Sequence, residues 1–103
     1  MKPYLVYYKK LDFPYDGDED YDLHPYLHRD YVPVSVVVAE DEECVFQYMQ
    51  GEVWSPNGEA KELIEALGLR HTSMSICDIV YGINEGTYYK VVTLGFLRVL
   101  PSF

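Results

Sequence analysis

Apolar and aromatic residues fill both alternating sets of positions in the opening run Pro3 to Lys10. Tyr4, Val6 and Tyr8 fall on one face of a strand, and Leu5 and Tyr7 on the other. A strand apolar on both faces belongs inside a sheet. A second strand is predicted over Val32 to Ala39, with Pro33 at its start or on a sheet edge because proline donates no ladder bond. Glu40 to Gln50 changes to helical spacing. Asp41 is its N-cap, Glu42 and Glu43 suit the positive end of the helix dipole, Val45, Phe46, Tyr48 and Met49 form its apolar face, and Gly51 ends it. Glu52 to Trp54 reads as a connector. Ser55-Pro56 opens a second helix as cap and first residue. Within it, Ala60, Leu63, Ile64 and Leu67 make one stripe, and Gly68 is the stop. Runs rich in β-branched and aromatic residues then flank Gly82-Ile83-Asn84-Glu85-Gly86, which is a hairpin signal. Gly95 marks a turn or bulge before a last strand, Phe96 to Leu100.

The fold class that follows is α+β: a small, mainly antiparallel β-sheet with two helices packed on one face and a C-terminal β-hairpin. Val36, Val38, Leu63, Ile64, Leu67, Val91 and Phe96 are expected in its core. With 103 residues there is room for a single domain, 1–103, and one core.

Leu11 to Tyr31 interrupts this order as a long acidic loop, with a helical turn near His24 to Arg29. It carries Asp12, Asp16, Asp18, Glu19, Asp20, Asp22 and Asp30, interleaved with Tyr15, Tyr21, Tyr26 and Tyr31. The whole chain has 17 acids against 8 Lys and Arg, a net charge of −9, and 11 tyrosines. That balance disfavours direct binding to nucleic acid through phosphates, which needs a basic patch. It suits a protein partner with a basic surface, steered by charge and held by aromatic rings. The interaction residues expected are Tyr15, Asp16, Asp18, Glu19, Asp20, Tyr21, Asp22 and Tyr26. No apolar stretch approaches a membrane span and the first residues lack the shape of a signal peptide, so the expected compartment is the cytoplasm.

The chemical motifs are fragments. Asp16 to Asp22 has the alternating acids of a calcium loop, but Tyr21 and Leu27 stand where that loop needs Gly and Glu. His24 and His28 are four apart without the Glu of a zinc-protease helix, and Pro25 confines any helix to its first turn. Cys44 and Cys77 form no metal or redox spacing and read as buried, reduced residues. Ser73, Ser75 and Cys77 lie near His71, yet residues on one short stretch do not make a triad, and a nucleophile elbow is missing. Asp78 interrupts an apolar run where a strand begins. Ionised there, it would accept main-chain N–H bonds from the Thr72 to Cys77 segment, a structural role. The expectation is no enzyme, no cofactor, and neither catalytic nor metal-binding residues.

The stretch Arg70-His71-Thr72-Ser73-Met74-Ser75-Ile76-Cys77-Asp78-Ile79-Val80, followed by Tyr88-Tyr89-Lys90-Val91 and Leu94-Gly95-Phe96, resembles a pattern of YodL-like domains. These and related small proteins are common in phages, plasmids and conjugative elements. The matching residues are Arg70, Ser73, Ser75, Asp78, Tyr88, Tyr89, Gly95 and Phe96. Cys77 stands where Gly or Ser is usual, and Val91-Val92-Thr93 replaces a more polar run. The resemblance implies a mobile-element accessory protein that binds a host protein, in the host cytoplasm. It transfers no activity. Two other readings stay open: a ligand-binding or enzymatic domain using Ser73, Ser75, Asp78 and His71, and a structural protein whose exposed strand pairs with a second copy as a homodimer.

Overall fold

The structure is a computed structural model that describes residues 1–10 and 24–103. Tyr15, Asp16, Asp18, Glu19, Asp20, Tyr21 and Asp22, with the calcium-like spacing among them, lie outside the described residues. The elements run β1 (Lys2–Lys9), α1 (Leu27–Asp30), β2 (Tyr31–Ala39), α2 (Glu42–Tyr48), α3 (Gly51–Trp54), α4 (Lys61–Ala66), β3 (Ile79–Gly82), β4 (Thr87–Val92) and β5 (Gly95–Val99). The five strands form one sheet in the order β2-β1-β3-β4-β5, and every pairing is antiparallel. This is the α+β fold that the pattern predicts, with its C-terminal hairpin and with β1 inside the sheet.

Register decides which residues are buried. Tyr4, Val6 and Tyr8 of β1 face α2 and α4, so their partners do too. Val37 lies opposite Tyr4, and Val80 of β3 opposite Val6. They pack with Ala39, Val45, Met49, Ala60, Ile64, Leu69, Met74 and Val91 in the main core. On the other face Leu27, Tyr31, Ile79 and Val99 make a smaller cluster flanked by Tyr7 and Tyr88. Of the buried side-chain oxygens and nitrogens among the described residues, the Tyr4 hydroxyl is the one without a hydrogen-bond partner.

Several expectations need correction. Val36 and Val38 are not core: they are 61% and 60% exposed, on the face away from the helices. Pairing with β1 turns Val37 and Ala39 inward instead. Leu63 is 42% exposed, because α4 is only six residues long and presents Ala60 and Ile64 to the sheet. Leu67 and Phe96 are half-buried at the core's margin. Cys44 is exposed, while Cys77 is buried.

The helices are also shorter than their spacing suggests. Residues 56–60 are turns. Pro56-Asn57-Gly58 is strong turn chemistry, and Gly58 takes a left-handed φ of +80°. Ser55 still acts as an anchor: its Oγ accepts the Ala60 N–H at 2.8 Å. Asp41 caps α2 as expected, accepting the Cys44 N–H at 2.9 Å. The connector at Glu52 to Trp54 is the single turn of α3. No helix among the described residues is long and apolar enough to cross a membrane.

Candidate functional site

The segment 70–78 crosses from α4 to β3 over the ends of β1 and α2. It has no regular ladder of its own, so its polar groups must find partners elsewhere. The Thr72 carbonyl accepts two donors, the Tyr8 hydroxyl at 2.6 Å and the Trp54 indole N–H at 3.1 Å. Ser73 Oγ accepts the Gly51 N–H at 2.7 Å. A β-carbon at Gly51 would stand 3.1 Å from that oxygen, so glycine permits the close approach. Met74 exchanges main-chain bonds with the end of α2. Its N–H donates to Met49 O at 3.0 Å, and its carbonyl accepts from the Gln50 side chain at 3.3 Å.

Cys77 and Asp78 tie the same segment to three strands. Cys77 N–H donates to Val91 O at 2.8 Å, and its carbonyl accepts the Tyr31 hydroxyl at 2.8 Å. To do both, Cys77 adopts a φ of +79°, a left-handed conformation that favours glycine. Asp78 is fully buried. Its Oδ2 accepts the Ser75 N–H and its Oδ1 the Lys9 N–H, each at 2.8 Å. Burial pushes its carboxyl up to about 8, against the opposing pull of those two N–H groups and the Lys9 charge. The expected structural role fits this geometry: burial favours the protonated acid, while the two N–H bonds favour the carboxylate.

The nucleophile-and-base grouping does not assemble. His71 stacks on the Tyr8 ring with centroids 4.9 Å apart, and its Nδ1 lies 2.7 Å from Ser73 O. A carbonyl only accepts, so Nδ1 carries the proton there. Ser75 Oγ donates to the Ser73 carbonyl at 3.3 Å rather than to an imidazole. The Cys44 thiol is raised in pKa by its hydrogen bond with Asp41, the reverse of activation.

The rest of the motif is dispersed. Arg70 is exposed. Tyr88 stacks on Tyr81 at 4.3 Å on the face away from the helices, while the Tyr89 hydroxyl donates to Glu85 at 3.3 Å. Gly95 turns the chain into β5 with a φ of +119°, and Phe96 meets Phe46 edge-on at 6.4 Å. No protein-family model, no curated protein and no solved structure matches this chain.

Among the described residues no three His, Cys, Asp or Glu side chains converge on a metal position. His24 precedes α1 and reaches Leu100 O at 3.3 Å, and His28 packs on Phe103 at 5.4 Å, so the pair does not share a helix face. Tyr26 is exposed, with the Arg29 guanidinium 4.1 Å over its ring. Sequence reasoning missed the partners Tyr8, Lys9, Tyr31, Gln50 and Trp54. Their only local signals are an indole and phenols with a polar tip to satisfy when buried.

Among the described residues the sheet has two edge strands, β2 and β5, and the β2 edge is the one bordered by acidic residues. From Ser35 to Ala39 β2 pairs on one side with β1 in unbroken register. A shallow groove runs along its other side, bordered by Met1, Glu40, Cys44 and Tyr48.

Proposed function

We propose that this chain is a non-enzymatic binding domain that docks on a protein with a basic surface. The observation that carries the reading is the fate of the 70–78 segment. The Ser73 hydroxyl, both Asp78 oxygens and His71 Nδ1 are all engaged in holding the segment to the sheet and helices. Groups so engaged stabilise a surface rather than transform a substrate. The net charge of −9 then favours a basic partner. The phage or mobile-element setting rests on the resemblance of residues 70–96 alone.

The test is affinity capture of host proteins on the immobilised chain. A basic protein should be retained at low salt, released as salt rises, and retained equally by Ser75→Ala and His71→Ala. Replacing Asp16, Asp18, Glu19, Asp20 and Asp22 by Asn or Gln should slow its association while leaving the fold's stability little changed. Loss of capture in the Ser75→Ala or His71→Ala variants, with the fold intact, would instead place a ligand site at that segment.

A further inference from the structure

We infer that the Ser35–Ala39 edge of β2 accepts an extended, Lys- or Arg-bearing segment of the partner as an added sixth strand. This rests on the reading of the chain as a protein-binding domain and names the place and mode of contact. Strand addition draws affinity from main-chain bonds and specificity from side chains beside the edge.

The two halves of β2 differ. In the first half Pro33 lacks a donor, and the register with β1 jumps across Val34: Val6 pairs with Ser35 and Tyr7 with Pro33. Proline and bulges are devices that keep an edge from pairing. The second half carries neither, and its register from Lys2↔Ala39 to Val6↔Ser35 is regular. Its outward side chains, Val36 and Val38, are the exposed apolar residues noted above, so an added strand gains a β-branched row to lie against. Tyr48 and Cys44, one helical turn apart on α2 and both exposed, form the far wall of the groove.

Charge selects the occupant. From Asp30 to Ala60 the chain has no Lys, Arg or His, but has Asp30, Glu40, Asp41, Glu42, Glu43, Glu52 and Glu59. Glu40 closes one end of the groove. Asp41 beside it is held by the Cys44 N–H, which lowers its pKa and keeps it ionised. Lys2, opposite Ala39 in register, is engaged by Glu85 at 3.1 Å. A second copy would bring the same anionic strand and helices to this edge, against like charge. A cationic strand meets complementary charge.

The probe is a fluorescein-labelled, end-capped peptide of alternating Val and Thr between two terminal lysines, titrated into the intact chain by anisotropy. A counterpart with glutamates in place of the lysines is the control. The lysine peptide should bind, weaken with salt, and exceed the control by about tenfold or more. Val36→Lys/Val38→Lys changes exposed positions only and should abolish binding with an unchanged circular dichroism spectrum. Glu40→Gln, which removes the carboxylate that lines the groove, should reduce both affinity and salt dependence.

Equal binding of the two peptides, or no binding of either, overturns the proposal. So does a concentration-dependent dimer in sedimentation that Val36→Lys/Val38→Lys abolishes, since a second copy would then hold the edge. A host protein captured equally by the wild type and this edge variant refutes strand addition while leaving the binding-domain reading intact.

Discussion

Asp78 offers a direct measurement of what the buried clamp costs. In the unfolded chain its carboxyl titrates near 3.8, and in the fold near 8. Between those values the folded chain keeps a proton that the unfolded chain has released. Stability from this group is therefore full below about pH 4, falls as pH rises, and levels off above about pH 8. The slope is about 1.4 kcal/mol per pH unit, so the roughly three units up to pH 7 amount to about 4 kcal/mol.

Asp78→Asn removes the titration with nearly the same shape. Its amide oxygen still accepts one of the two N–H groups from Ser75 and Lys9, and the other is left without its acceptor, a loss of about 1–2 kcal/mol. At about pH 4 the variant should be the less stable protein, the two curves should cross near about pH 5, and by about pH 7 the order should be reversed. Urea unfolding followed by far-ultraviolet circular dichroism across this range gives both curves. The other acids titrate in both proteins, so they cancel in the difference. Tyr8, raised by burial and by Asp78 itself, does not enter the range. A flat difference curve would mean that Asp78 stays charged inside the fold and that its N–H bonds outweigh burial.

Four further outcomes can be checked by the same unfolding experiment. Tyr8→Phe and Trp54→Phe each leave Thr72 O one donor and should cost about 0.5–1.5 kcal/mol apiece, while the double variant orphans that carbonyl and should exceed their sum by about 1 kcal/mol. Tyr4→Phe removes the buried hydroxyl that has no partner, and equal or greater stability, by up to about 1 kcal/mol, is expected. Cys77→Gly relieves a left-handed φ at the loss of a small buried thiol, so stability should hold within about 1 kcal/mol, whereas Cys77→Val should lose more than that. Ile64→Ala should cost about 2–5 kcal/mol and Leu63→Ala under about 1 kcal/mol.

The elements whose signals are local were legible in the sequence. Both faces of β1 are apolar, and that alone put it inside the sheet. The Asn-Glu-Gly turn, the Asp41 cap and the break at Gly95 each stand on one or two residues. What failed depends on distant pairing. Val36-Val37-Val38 is apolar at consecutive positions, so alternation cannot say which valines turn inward; register with Tyr4 and Val6 does. At Ser55-Pro56 the cap signal misleads: Ser55 closes α3, the Asn-Gly turn follows, and α4 begins only at Lys61 with Ala60 as its N-cap. Asp78 was readable as an acceptor of nearby N–H groups. Its second donor, Lys9, is 69 residues away and left no trace beside it.

The central place of β1 also sets an order of events during synthesis. Its flank toward β2 can be paired once Ala39 has been made, but its flank toward β3 waits for the segment ending at Gly82. Until then a strand of Tyr, Leu and Val keeps one side unmatched, the condition under which nascent chains associate wrongly. Closing contacts of such separation slows folding. The hairpin of β3 and β4, built from neighbours in sequence, is therefore the natural last piece to arrive already formed. Its docking against β1 should limit the rate at which the sheet is completed.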